Sequence, residues 1–222
     1  AQQPLDLAER LAIAIQFASA LGDVHAHGLI HGDIAPKNVL VEVSTMRVKL
    51  CDFGLSSRLD HAQKRSDDNF LRGTLEYMSP EQTGRTNLDV DYRSDLYSLG
   101  ISLYELFSGR KPFHSNDPMT LLHAQIAIMP APLREFDPDV PEPLSGLVQK
   151  LLNKYPDDRY QSSFGLLHDH GEDHQHRHHE RGDADQHGES KAEGGGHRNL
   201  LEVSIVSASG FRKPLGQRPG NV

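Results

Sequence analysis

His31-Gly32-Asp33-Ile34-Ala35-Pro36-Lys37-Asn38, followed by Cys51-Asp52-Phe53-Gly54-Leu55, is the stretch on which the reading of this chain turns. Asp33 and Asn38 stand five residues apart, and Asp52 follows Asn38 after 14. Asp, Asn and Gly are ordinary turn formers, so Asp52-Phe53-Gly54 alone would read as a simple loop. Between the two motifs, residues 39–43 and 48–51 are short β-branched runs around Ser44-Thr45-Met46-Arg47, which predicts a small hairpin. Such a hairpin would hold Asn38 and Asp52 on neighbouring rigid elements.

Outside this centre the pattern is helical. Leu7, Leu11, Ala14, Ile15, Ala18 and Leu21 recur at helical spacing and predict a helix over 5–27, stopped at Gly28. Residues 94–107 carry apolar side chains on several faces, as a helix buried nearly all round does, and Gly109 follows as a C-cap. Residues 118–128 and 144–152 predict two amphipathic helices separated by the proline-rich stretch 130–143, and a last helix begins near Gln161. The fold class is mainly α with one small β-hairpin. Composition then breaks: between Asp169 and Asn199 the apolar residues are Ala184 and Ala192, and eight of the fourteen histidines fall between His168 and His197. Such a stretch buries too little to offset its ordering entropy, so 169–222 is expected to be a disordered His/acidic tail. A frameshifted or mis-spliced reading would produce the same break.

Further motifs follow in order: Gly73-Thr74-Leu75-Glu76-Tyr77-Met78-Ser79-Pro80-Glu81, Asp95-Leu96-Tyr97-Ser98-Leu99-Gly100, and Pro156-Asp157-Asp158-Arg159-Tyr160. Together the five resemble the C-terminal lobe of a eukaryotic-type serine/threonine protein kinase, over roughly residues 5–168. Residues 76–85 with 91–95 further resemble the kinase domain heading multi-sensor hybrid histidine kinases. The resemblance implies ATP and Mg2+ as cofactors. It implies Asp33 as catalytic base, with Lys37 behind it, and Asn38 and Asp52 as magnesium ligands. Leu40 would floor the adenine pocket, Thr74 would bond the catalytic Asp, Glu81 and Arg159 would pair, and Asp95 would anchor the catalytic-loop backbone. Leu40 reads equally as a plain strand residue, and Lys37 equally as a solvated surface lysine. Cys51 reads as a small buried strand residue, although it could face a nucleotide.

Two departures stand inside the loop. Gly32 replaces the Arg that in the family receives an activation-loop phosphate, so phosphorylation at Ser56, Ser57 or Ser66 is expected to matter little. Ala35 replaces a Lys that contacts the γ-phosphate. The family's Gly-rich loop, third-strand Lys and helix Glu precede the helix that starts here near Leu5, and residues 1–4 supply none of them. The chain is therefore expected to be an incomplete kinase domain, 1–168, followed by the tail. The reading is a kinase lobe acting on a protein substrate within a longer signalling protein; the alternative is a pseudokinase-like binding scaffold.

Composition excludes other classes. A net charge of −8 argues against a nucleic-acid binder. No apolar run approaches the ~20 residues of a membrane span. One cysteine excludes an intrachain disulfide framework, which fits the cytoplasm. The cluster His174, His176, His178, His179 with Asp173 and Glu180 is dense enough to bind zinc, nickel or copper adventitiously, without the spacing of a structural site.

Overall fold

A computed structural model describes residues 5–42, 45, 47–58 and 74–168. The expected tail, its histidine cluster, Ser66, Gly73 and part of the hairpin turn lie outside the described residues. Within them the order is α1 (Leu7–Ala26), β1 (Leu29–Ile30), β2 (Val39–Glu42), β3 (Arg47–Leu50), β4 (Ser57–Arg58), α2 (Tyr92–Ser108), α3 (Pro118–Ala127), α4 (Glu142–Leu151) and α5 (Ser163–Leu167), with short 3₁₀ turns between.

Helix α1 opens with a reciprocal cap. The Glu9 N–H donates to Asp6 Oδ1 at 2.8 Å while the Asp6 N–H donates to Glu9 Oε2 at 3.1 Å, satisfying two otherwise orphaned donors. Its stripe Ile13, Ala14, Phe17, Ala18 and Leu21 is buried in the core, where α1 packs against β3, α5 and α2. Helix α2 starts under Asp91, whose carboxylate accepts from the Arg93 N–H at 2.7 Å. It is buried from Ser94 to Tyr104. Its apolar residues Leu96, Tyr97, Leu99, Ile101 and Leu103 point several ways because α1, α4 and the 3₁₀ turn Leu75–Tyr77 all pack on it. Gly100 lets α4 approach: a Cβ there would meet the Cβ of Leu151 at 2.8 Å.

The hairpin forms in the register Val39↔Leu50 and Val41↔Val48, and packs on α1, where Gln16 accepts from the Val48 N–H at 3.1 Å. Two expectations need correction. There are two small antiparallel sheets, not one, because β1 pairs with β4 as Leu29↔Arg58 and Ile30↔Ser57. Two-residue strands carry no alternation for a sequence to display. Cys51 is half-buried and lies just past β3, not inside a buried strand. Its carbonyl accepts from His31 and its N–H donates to Asn38, which draws the backbone toward the loop and leaves the thiol at the edge. Burial, with the neighbouring Asp52 charge, pushes that thiol's pKa up and keeps it protonated.

Candidate active site

The loop from His31 to Asn38 is suspended from α2. Asp95, buried in the first turn of that helix, accepts the His31 N–H at 2.8 Å and the Gly32 N–H at 2.9 Å, and also binds His25 Nε2 at 3.0 Å. His31 is itself fully buried. Its Nε2 donates to the Cys51 carbonyl at 3.1 Å, so its Nδ1 is left to accept from the Asp33 N–H at 3.4 Å. One imidazole thus ties the loop to the segment that enters Asp52.

Three donors converge on Asp33. Its Oδ2 receives Lys37 Nζ at 3.0 Å and Asn38 Nδ2 at 3.0 Å, and its Oδ1 receives the Thr74 N–H at 3.0 Å. Burial works against the charge, but these donors outweigh it and hold the Asp33 carboxyl below its ordinary value. Lys37 reaches it from one turn on, with its side chain 53% exposed and that of Asp33 9%. Thr74 makes its bond through the backbone; its hydroxyl is buried with no partner among the described residues, beside a small cleft lined by Gly32, Asp33, Ile34 and Tyr77.

Asn38 is buried at the head of β2 and spends its amide nitrogen on Asp33, bonding the backbone carbonyl at 2.8 Å as well as the carboxylate. That turns Oδ1 into its free acceptor. The Cys51 N–H bonds the Asn38 carbonyl at 3.0 Å, so the register of the hairpin delivers Asp52 to the same end as Asn38. Asp52 is exposed and stands at φ +63°, the left-handed region, as the single such non-glycine among the described residues. Strain of this kind costs on the order of 1–3 kcal/mol and persists where surroundings impose it. The carboxylate of Asp52 and Oδ1 of Asn38 are hard oxygen donors, the type magnesium prefers. Among the described residues no three His, Cys, Asp or Glu gather as a self-sufficient metal site, so a magnesium ion here would complete its shell with water or a bound phosphate.

The remaining expected residues fall on the frame around this cluster. Leu40 is half-buried on β2, opposite Lys49. Glu81 and Arg159 are fully buried and paired twice, Nη1 to Oε1 at 2.7 Å and Nη2 to Oε2 at 2.9 Å. Ser94 Oγ donates to the same Glu81 oxygen at 2.7 Å, and Arg159 donates further to the carbonyls of Arg93, Asn153 and Lys154. Every polar group of the pair is answered.

The comparisons follow this geometry. The protein kinase domain family matches residues 1–170. The chain belongs to that family. Among curated relatives, it is 36% identical over 159 residues to a probable serine/threonine-protein kinase of Clostridium perfringens, covering 72% of this chain and 23% of that one. It is 38% identical over 161 residues to the serine/threonine-protein kinase PknB of Mycolicibacterium smegmatis, covering 71% and 25%. A hybrid signal transduction histidine kinase of Dictyostelium discoideum matches at 32% over 233 residues, covering 74% and 7%. The chain therefore spans a quarter or less of the length of these relatives.

Several contacts of this kinase domain had no sequence signal. Gln82 joins Gly32 to Ser79, and the fully buried Gln125 of α3 joins Tyr97 to the Glu76 carbonyl. Glu76 and Tyr77 are pinned at their side chains too, by Lys111 and Glu105. Glutamine at one position says nothing about a partner 50 residues away. Among the described residues no helix is long and apolar enough to cross a membrane.

Proposed function

We propose that residues 1–168 are the C-terminal lobe of a protein serine/threonine kinase, the boundary set where composition changes, and that the lobe serves as a module of a longer signalling protein. Asp33 is the base in this reading. It orients a hydroxyl of a protein substrate and takes its proton, which its depressed pKa leaves it free to accept near neutrality. Asn38 and Asp52 are the residues that would hold magnesium, and Leu40 the one that would lie under adenine. Bound Mg-ATP would supply the transferable phosphoryl group and neutralise charge on its own phosphates. Lys37, already beside Asp33, is placed to add the cation that Ala35 does not provide.

The observation that carries the reading is the junction at Asn38. One side chain fixes the Asp33 carboxylate through its nitrogen while presenting its oxygen at the hairpin end that also bears Asp52. A scaffold that only docks partners has no use for that division of labour. The test is phosphotransfer to a generic protein substrate by the chain joined to an N-terminal kinase lobe. Asp33→Ala should abolish transfer and leave Mg-ATP binding nearly intact, while Asp52→Ala should weaken binding itself. Transfer that survives Asp33→Ala would refute the assignment, and Mg-ATP binding indifferent to Asp52→Ala would favour the scaffold.

A further inference from the structure

Gln82 sits in a 3₁₀ turn, Glu81–Thr83, whose two flanking residues are anchored. Glu81 is locked to Arg159, and the buried Thr83 hydroxyl donates to the Pro80 carbonyl at 2.6 Å. Both ends of the Gln82 amide are used. Oε1 accepts the Ser79 N–H at 3.0 Å and the Ser79 hydroxyl at 3.1 Å, which fixes which end is oxygen. Nε2 then donates to the Gly32 carbonyl at 2.9 Å. That carbonyl belongs to the peptide leading directly into Asp33.

Gly32 is thereby held at both polar groups, its N–H by Asp95 and its C=O by Gln82. It has no room for a side chain. At φ +80° a Cβ would stand 3.0 Å from the Leu55 carbonyl oxygen. A larger residue here would be strained in backbone and contact alike. The peptide entering Asp33 is thus oriented at its own N–H and C=O by the side chains of Asp95 and Gln82.

We propose that Gln82 is a positioning residue for the base, coupling the substrate-side segment 74–83 to the peptide that aims Asp33. The proposal rests on the reading of Asp33 given above. The coupling runs through uncharged groups, the fully buried Ser79 N–H and hydroxyl on one side and the Gly32 carbonyl on the other.

The informative substitution is Gln82→Glu. It keeps an acceptor for Ser79 but removes the donor to Gly32 and sets a negative charge against its carbonyl. Gln82→Met, of similar volume, removes both. In the 222-residue chain, amide exchange at Gly32 and Asp33 should quicken about fivefold in Gln82→Glu, with exchange at Leu99 unchanged. Acidifying below the ordinary glutamate pKa of about 4.3 should restore protection, since the introduced carboxyl donates again once it is protonated; packing damage would not reverse this way. In the chain joined to an N-terminal lobe, kcat should fall about tenfold with KM for ATP unchanged, as expected when geometry at the base is lost and nucleotide contacts are not. Unchanged exchange at Gly32 and Asp33 overturns the proposal, as does a loss of protection that extends to Leu99. If the unsubstituted chain transfers no phosphate even with the lobe supplied, the kinase reading fails while the exchange result still decides the role of Gln82.

Discussion

Two carboxylates of this kinase domain are held by cations, and they are held in opposite ways. Glu81 lies fully buried with Arg159, each oxygen matched to a guanidinium nitrogen, and Arg159 closes three backbone carbonyls besides. Asp33 meets a lysine whose side chain is half in water, an amide, and one backbone N–H, and its neighbours Asp52 and Phe53 are exposed. The first arrangement leaves nothing unsatisfied and nothing available. The second keeps its anion charged by contacts that can be given up one at a time. The two are thus separated by how replaceable their partners are, not by the presence of a partner.

The largest effect should come from breaking the closed pair. Arg159→Ala strands a buried carboxylate and should cost about 3–5 kcal/mol in urea unfolding. Replacing both partners by apolar residues is often harmless elsewhere. Here it would orphan the carbonyls of Arg93, Asn153 and Lys154, so Glu81→Met with Arg159→Leu should remain clearly destabilised. A double variant as stable as the parent would show that those carbonyl contacts contribute little. Next in size, Gly100→Val drives a side chain into Leu151 and Leu152 and should cost about 1–3 kcal/mol without touching either carboxylate. A Gly100 variant as stable as the parent would show that α2 and α4 can part, and that the closed region is less rigid than the pair suggests.

Lys154 tests how far the closed region tolerates a second cation. Its Nζ donates to Tyr97 Oη at 3.0 Å and lies 4.6 Å from the Phe113 ring centroid. Burial, together with the Arg159 charge, brings its pKa down to about 7. An unfolded lysine keeps its proton to about 10.4, so between these values the unfolded chain binds more protons than the native one. Stability should therefore rise with pH from about 7 to about 10. Lys154→Met should flatten that rise; a rise that persists unchanged would assign it to another group.

What the sequence made legible divides along the same line. The helix at α2 showed in apolar residues on several faces, and Asp33, Asn38 and Asp52 stood out as candidates because two motifs follow in the order and spacing of the family. Glu81 and Arg159 could be matched only by family resemblance, since 78 residues separate them. The β1–β4 pairing left no trace in strands of two residues. Gln82 and Gln125 were invisible for a different reason. Their amide nitrogens bond backbone carbonyls, which every residue has, so at that end the side-chain sequence carries no complementary mark. Thr74 was matched as a partner of Asp33, but the atom it uses is its amide, and the hydroxyl that suggests the match is left buried with no partner among the described residues.

The smallest stability effect should be at the open cluster, and it is the sharpest test of the contrast. Asp33→Asn keeps an oxygen for the Thr74 N–H and replaces the other by an NH2, so Asn38 Nδ2 keeps only the Asp33 backbone carbonyl, and Lys37 loses a partner it can exchange for water. The expected cost at neutral pH is about 1 kcal/mol or less, the range of half-exposed ion pairs and single hydrogen bonds. The pH dependence follows from the depressed native pKa of Asp33. Its contribution is fully present above the unfolded value of about 3.9 and is lost as pH falls through the native one. The difference between the unsubstituted chain and Asp33→Asn should therefore be flat around neutrality and shrink below about pH 4. A neutral-pH loss as large as that of Arg159→Ala would mean that Asp33 is a second structural anchor. A small loss, with phosphotransfer abolished in the chain joined to an N-terminal kinase lobe, is what a carboxylate kept for chemistry should show.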